Sequence, residues 1–231
     1  MKNKLYKSLV IIFYVLSFFI LLFLIKVRVT PHVYLKTNFR LMLLFILCLL
    51  IYMAGFILVK KLNYNKNILK THLVIYFLIY TVTICTLTLF DEIFGRQGFV
   101  IIRWNKQLLD LYTKYSFNIV PFKTINLFIS GYMNGIVSFK NFSINIFGNI
   151  CAFMPYAIFL PLMFKGMNKF MNFLSTITFS VIIIELLQFV TMSGSCDIDD
   201  LILNVVGACI AYLITRIKCI NKVIHKIFLY E

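Results

Sequence analysis

The chain has 231 residues, of which 61% are hydrophobic and only 13% are charged, and its formal net charge is +15 at pH 7. Soluble domains carry about 25% charged residues, so this composition excludes an ordinary soluble protein and indicates an integral membrane protein. The positive charge does not indicate nucleic acid as a partner. Lysine and arginine cluster between apolar runs, where they orient the chain and meet anionic membrane lipids.

Six apolar runs approach the roughly 20 residues that a helix needs to cross the hydrocarbon of a bilayer. No small-x-small cleavage site follows the first run, so we interpret it as an uncleaved helix rather than a secretory signal. We therefore predict an all-α, polytopic membrane protein whose six transmembrane helices are Leu9–Ile25, Leu41–Val59, Leu73–Phe90, Ile146–Phe164, Phe170–Met192 and Leu201–Ile217. Pro155 and Pro161 predict a kink in the fourth of them.

A long third loop, from Asp91 to Asn145, separates the third and fourth predicted helices. Between Leu108 and Tyr115 its apolar residues are spaced for one helix face, which predicts an amphipathic helix that lies at the membrane interface or forms a lid over the membrane helices. Pro121 then rules out a regular helix interior and predicts a bend at the membrane surface.

The distribution of basic residues predicts the orientation of the chain. The N-terminus, the second and fourth loops and the C-terminus carry 13 of the 23 Lys and Arg residues, whereas the first loop carries four and the fifth none. With the long third loop set aside, this asymmetry predicts that both termini are cytoplasmic. The aspartate-rich turn before the sixth helix would then face outward.

Two polar residues interrupt the fifth apolar run. Glu185 and Gln188 are three residues apart, so on a helix they share one face. One interpretation is structural, with Glu185 holding its helix against a neighbour through hydrogen bonds worth about 0.6–2 kcal/mol. The other is that Glu185 belongs to a functional site, which is the default for an acid within a membrane segment, and we favour it.

Three aspartates precede the sixth apolar run, and two explanations for them carry equal weight. Asp197 can cap the sixth helix and Asp200 falls at its third position, where acids suit the positively polarised helix end. With Asp199 beside them and Asn204 one turn below, the same residues offer enough oxygen ligands for Mg²⁺ or Ca²⁺. Both the capping role and the divalent-cation role therefore remain open.

The remaining polar and small residues have simpler explanations. Asn145 and Asn149 stand near the start of the fourth run, where they can cap a helix or hydrogen-bond across to Glu185 and Gln188. Gly207 and Ala211 form a small-xxx-small step that predicts close helix packing.

Four motifs follow one another along the chain: Asn118-Ile-Val-Pro-Phe-Lys-Thr-Ile125, Asn145-Ile-Phe-Gly-Asn149 with the residues to Pro155, Glu185-Leu-Leu-Gln188, and Asp197-Ile-Asp-Asp200 with the residues to Gly207. In kind and order they resemble the motifs of VanZ-like membrane proteins. The resemblance covers roughly Leu73 to Ile217. It divides the chain into two additional N-terminal helices (1–70), a VanZ-like membrane domain (71–218) and a basic cytoplasmic tail (219–231).

The resemblance implies a multi-pass protein of the bacterial cell membrane. The namesake of the family is associated with low-level resistance to the glycopeptide teicoplanin. Our leading hypothesis is that this chain alters glycopeptide susceptibility at the outer leaflet. Its expected partners are membrane lipids and either a lipid-linked cell-wall precursor or the glycopeptide itself. The candidate ligand site is the polar cluster of Asn118, Asn145, Asn149, Glu185, Gln188, Asp197, Asp199, Asp200 and Asn204.

Two other functions remain open. One is an enzyme acting on a lipid-linked phosphate, with Glu185 and the aspartates holding a magnesium ion against the diphosphate. The other is a small transporter, suggested by the kinked fourth helix and the acid within the fifth.

Overall fold

The computed structural model describes residues 2–30, 35–91 and 105–228, and these are almost entirely helical. Six helical segments are long and apolar enough to cross a membrane, which confirms the predicted all-α, polytopic fold. The six segments are Lys2–Val27, Thr37–Lys60, Asn67–Phe90, Phe139–Met163, Phe170–Thr191 and Ile198–Thr215.

The first three helices each extend beyond the predicted apolar runs into flanking polar residues: α1 (Lys2–Val29), α2 (Thr37–Lys60) and α3 (Asn67–Phe90). Val10 of α1 packs in one buried cluster with Ala54, Ile57 and Leu58 of α2. The contacts of the chain define two compact units, one reaching to Tyr80 and including the segment from His225 onward, the other Thr81–Ile224. The candidate site lies in the second unit.

The described part of the third loop is more ordered than the sequence indicates. The amphipathic stretch forms α4 (Lys106–Tyr115), as predicted, and is followed by the short strand β1 (Phe117–Asn118). The bend predicted at Pro121 is present, with Phe122 in the left-handed region at φ 65°. A further helix, α5 (Lys123–Met133), begins directly after the bend and was not predicted. Residues 92–104 of this loop lie outside the described residues.

The fourth membrane segment is interrupted twice. It begins with α6 (Phe139–Ser143), passes through a π-helical turn at Ile144–Gly148 and continues as α7 (Asn149–Ala152). The chain then turns at Phe153–Pro155 before α8 (Tyr156–Met163), which contains Pro161. The predicted kink is therefore a break just ahead of Pro155, where proline supplies no N–H for a continuous helix.

The last part of the chain runs through a 3₁₀ turn (Lys165–Asn168), α9 (Phe170–Thr191), the short strand β2 (Cys196–Asp197), α10 (Ile198–Thr215) and α11 (Lys218–Phe228). Strand β1 pairs in parallel with β2, with Phe117 opposite Cys196 and Asn118 opposite Asp197. This pairing holds the third loop against the start of α10. From the sequence we predicted only a basic tail at the end of the chain. The described residues of that tail belong to the helix α11.

Helices α7 and α10 approach one another closely at Gly207. A Cβ atom added to Gly207 would lie 1.9 Å from the carbonyl oxygen of Ile150, closer than any real contact. Small residues allow backbones to meet in this way in membrane proteins, where packing contributes much of the helix association. The close packing predicted at Gly207 is thus confirmed.

We predict that Gly207→Ala destabilises the protein. The added methyl group meets backbone rather than a flexible side chain, so the two helices must move apart, at a cost of about 1–3 kcal/mol or more. Thermal unfolding of purified protein in detergent, followed by the loss of monodisperse protein on gel filtration, measures the effect. Gly166→Ala is the matched control, because its Cβ would have only an ordinary contact at 3.8 Å from Asn172. Equal unfolding temperatures for the two variants would contradict the prediction.

Candidate functional site

Asp197 caps the helix that it precedes. It occupies the N-cap position of α10, and its Oδ1 accepts a hydrogen bond from the backbone N–H of Asp199 at 2.9 Å. The carboxylate satisfies one of the backbone donors that have no partner within the first turn of a helix. The predicted capping role of Asp197 is confirmed, and Asp200 stands at the third helical position, as expected.

Asp199 caps a different helix, α5. Its Oδ1 accepts the N–H of Phe122 at 2.5 Å, and its Oδ2 accepts those of Thr124 and Ile125 at 2.7 and 3.0 Å. Phe122 is the N-cap residue of α5 and provides no side-chain cap of its own. Asp199 is fully buried, so these three backbone donors replace the water that a carboxylate otherwise needs.

Two helix beginnings therefore meet at the aspartates, those of α5 and α10. Each helix N-terminus carries a partial positive charge and several unpaired N–H groups. One or two acids are enough for a single helix end. The second helix end accounts for the third acid, so a metal ion is not needed to explain why three acids stand here.

Glu185 of α9 accepts a hydrogen bond from the N-cap residue of α10. Its Oε2 accepts the backbone N–H of Asp197 at 2.9 Å, and its side chain is buried within the protein rather than exposed to lipid. In a capping box, an acid at the third position of the same helix makes this bond to the N-cap residue. Here another helix supplies the acid, which ties the end of α9 to the start of α10.

Asn118 links the third loop to the same cluster. Its Nδ2 donates to Asp197 Oδ1 at 2.8 Å and lies 3.2 Å from both the carbonyl of Val120 and the hydroxyl of Thr124. Its Oδ1 accepts the N–H of Val120 at 3.1 Å. This one side chain thus shapes the bend around Pro121 and fastens it to the cap of α10.

Asp200 connects the fourth membrane segment to α10. Asn149 donates through Nδ2 to Asp200 Oδ1 at 2.5 Å and to the carbonyl of Asn145 at 3.0 Å. The π-helical turn that precedes Asn149 is a feature that often occurs at functional sites. Asn204 donates to the carbonyl of Asp200 at 2.7 Å. Asp200 is half-buried, whereas Asp197 and Asp199 are buried.

Two of the nine predicted site residues donate their described side-chain hydrogen bonds only to residues outside the polar cluster. Gln188 Nε2 donates to the carbonyl of Thr88 on α3 at 3.0 Å, and Asn145 Nδ2 donates to the carbonyl of Asn141 at 2.8 Å. Among the described residues, Gln188 Oε1 and Asn204 Oδ1 are buried acceptors without a hydrogen-bond partner. Such an atom costs about 1–3 kcal/mol unless water or a ligand supplies the donor.

The candidate metal ligands Asp197, Asp199 and Asp200 have their described partners in different directions. Both oxygens of Asp199 accept N–H groups of α5 and its N-cap residue, Asp197 accepts from α10 and from Asn118, and Asp200 accepts from Asn149. Over the described parts of the chain, no three His, Cys, Asp or Glu side chains are grouped so as to hold a metal ion. The geometry therefore favours helix-end roles, and the Mg²⁺ or Ca²⁺ site stays a hypothesis.

Cys196 lies beside the acids, in the turn between two membrane segments. Burial raises the pKa of its thiol to about 11, and the negative charges of Glu185, Asp197 and Asp200 add to this shift. The thiol is therefore neutral at physiological pH. Because the thiolate is the reactive form, Cys196 should react slowly with alkylating reagents.

The sequence profile of the VanZ/LLP1 family matches residues 76–219, which include every residue of the polar cluster. The chain belongs to the VanZ/LLP1 family. No curated protein and no solved structure matches it. The family match begins within α3 and leaves out α1 and α2.

Three features of this VanZ/LLP1 site were missing from the sequence-based prediction. Phe122, Thr124 and Ile125 contribute through backbone N–H groups, and no residue type marks that role. Thr88 contributes a backbone carbonyl to Gln188. Phe189 packs edge-on against the rings of Tyr112 and Phe117, and its place four residues after Glu185 was a signal that could have been used.

We predict that Asp199→Asn lowers stability more than Asp200→Asn does. An amide at position 199 keeps only one acceptor oxygen and points a donor at backbone N–H groups, and hydrogen bonds to charged groups contribute about 1.5–3 kcal/mol each. Asn at position 200 still accepts from Asn149. The measurement is the thermal unfolding temperature of each purified variant in detergent. Equal effects would show that the three backbone bonds of Asp199 do not hold the fold.

Proposed function

We propose that this protein acts in the bacterial cell membrane by presenting a rigid apolar loop to lipophilic ligands, and that it thereby lowers susceptibility to glycopeptides of the teicoplanin type. The proposed partner is the acyl chain of the glycopeptide. The lipid-linked cell-wall precursor is the other partner of matching chemistry. Membership of the VanZ/LLP1 family and the multi-pass architecture provide the general support.

The observation that carries the proposal is the contrast between the two faces of the loop at Asn118–Ile125. On its inner face, the loop is fastened by Asp199, by Asn118 and by the pairing of β1 with β2. On its outer face, Ile119, Val120 and Phe122 are 69%, 56% and 56% exposed. Rigid apolar groups bind at low entropic cost, because little conformational freedom remains to be lost.

The left-handed conformation of Phe122 supports the same interpretation. A bulky residue at positive φ is strained and persists only where its surroundings hold it. Asp199 accepts the N–H of this residue, while the aromatic ring points away and stays exposed. The buried acid thus determines where the ring is presented, and we assign ligand contact to the ring.

The basic residues provide the argument for which side of the membrane the loop occupies. The N-terminus, the loops after α2 and α8, and the C-terminus hold 13 of the 23 Lys and Arg residues. The rule that such segments stay inside supports an orientation with both termini in the cytoplasm and the start of α10 outside. The loop would then face the leaflet at which a glycopeptide arrives.

Phe122→Asn tests the ligand role of the loop. Asn tolerates the left-handed region, so the backbone should keep its conformation while the apolar ring is lost. Burying a phenylalanine side chain contributes about 1.5–3 kcal/mol, so binding should weaken roughly tenfold or more. The measurement is the minimal inhibitory concentration of teicoplanin in a susceptible bacterium that expresses wild type or variant at matched membrane abundance. We expect the variant to lose protection.

Met133→Asn is the matched control, since it replaces another exposed apolar residue, 77% exposed at the end of α5, outside the loop. It should retain protection. A glycopeptide without an acyl chain provides a second control, and wild type should protect little against it. Full protection by Phe122→Asn at normal abundance would contradict the proposal. Protection against both glycopeptides would favour the cell-wall precursor as the partner.

The proposed orientation has its own test. We expect an impermeant maleimide to label Ile136→Cys in intact cells and Gly166→Cys only after permeabilisation, because these residues lie in loops assigned to opposite sides. Ile136 is 81% exposed, and neither substitution alters the charge distribution. Both are made with Cys151→Ser and Cys219→Ser, which remove the exposed native cysteines. The reverse labelling pattern would invert the topology.

A further inference from the structure

Only two residues separate helix α11 from the end of the last membrane segment. Helix α10 stops at Thr215 and α11 starts at Lys218, with a turn between them. Asn221 of α11 donates through Nδ2 to the carbonyl of Thr215 at 3.3 Å, and its backbone N–H donates to the carbonyl of Ile217 at 2.8 Å. A helix joined this closely to the end of a membrane span starts at the depth of the lipid headgroups.

The side chains of α11 fall into three strips along the helix. Ile220, Ile224 and Phe228 lie toward the protein, with Ile224 buried and the Phe228 ring centroid 6.5 Å from that of Tyr76. A second strip is apolar yet exposed, and it consists of Cys219, Val223 and Ile227. A third strip, beside the second, consists of the exposed residues Lys218, Lys222 and Lys226.

Each strip repeats every four residues, so its members share one helix face, and each lysine directly precedes a member of the exposed apolar strip. The apolar strip includes Val223 and Ile227 at 52% and 42% exposure. From Arg216 to Phe228 the sequence has no acidic residue, so the basic strip has no neighbour of opposite charge along its own segment. The helix therefore places positive charge immediately beside an uncovered apolar surface.

We propose that α11 is an interfacial helix that binds anionic phospholipid. Val223 and Ile227 lie among the upper acyl chains, and the three lysines extend toward the headgroup phosphates. Amphipathic helices with lysine on the polar face bind bilayer surfaces in this way, and long lysine side chains reach from the apolar boundary to the headgroups. Charge complementarity identifies the occupant as anionic lipid, because a zwitterionic surface would need no such row of lysines.

The test uses the full chain in phospholipid vesicles. A fluorophore is attached to Val223→Cys in a background with Cys151→Ser and Cys219→Ser, and the same background without Val223→Cys measures residual labelling. Quenching by phosphatidylcholine brominated in its acyl chains reports how deeply position 223 enters the bilayer. Vesicles of phosphatidylcholine alone are compared with vesicles that also contain phosphatidylglycerol, at a constant amount of brominated lipid.

We expect phosphatidylglycerol to increase quenching, and the combined change Lys218→Gln, Lys222→Gln and Lys226→Gln to abolish that increase. Each lysine near an anionic surface contributes about fivefold to association. High salt should abolish the increase in the protein with all three lysines, which tests the proposal without a charge mutation. The matched control replaces Lys2, Lys4 and Lys7 of α1 with Gln and should leave the increase intact.

Three outcomes would overturn the proposal. Equal quenching in both kinds of vesicle would show that the lipid charge is not recognised. An increase that survives the three substitutions in α11 would assign recognition to another surface. Weak quenching in all vesicles, together with disulfide-linked dimers of the unlabelled Val223→Cys variant, would show that a second copy of the chain covers the strip instead of lipid.

Discussion

The buried carboxylate of Asp199 ties the beginnings of two helices together, and the geometry of the site depends on it. Backbone N–H groups at a helix end need partners, and a position surrounded by apolar helices offers little water to provide them. Asp199 supplies both of its oxygens to α5 from the first turn of α10. Without this acid, three partly buried backbone donors would lose their partner, and Phe122 would lose the contact that holds it at positive φ.

The other polar residues extend the same arrangement to neighbouring elements. Hydrogen bonds connect three elements to the start of α10: α9 through Glu185, the third loop through Asn118, and α7 through Asn149. The close approach of Gly207 to Ile150 lets α7 lie near enough for the last of these bonds. Asn118 and Asn149 therefore join elements that are distant along the chain, and Glu185 joins α9 to the segment that follows it. Such bonds supply specificity in a setting where apolar contact with lipid and with protein is nearly equivalent.

Local features of the site could be predicted from sequence, whereas long-range partners could not. Asp197 was recognisable as a cap because the N–H that it accepts belongs to a residue two positions later. The partner of Asp199 at Thr124 lies 75 residues earlier, and α5 has no capping side chain at its N-cap residue that would mark its start. The six membrane segments followed from apolar length alone. Helix α11 escaped notice because it is too short to span a membrane, although its lysines repeat every four residues.

The buried acids relate to the proposed function through the position of the loop at Asn118–Ile125. In water, burial of apolar groups could hold a loop such as Asn118–Ile125 in place, and its apolar residues would then be hidden. Next to lipid that driving force is weak. The loop is held instead by hydrogen bonds to Asp199 and to the amide of Asn118. Ile119, Val120 and Phe122 stay exposed. The lipid environment therefore accounts for both features of the loop, the polar contacts of its inner face and the exposed apolar side chains of its outer face. Under the proposed function, the acids need not touch the ligand to be required for its binding, because they set the position of the apolar side chains that we propose contact it.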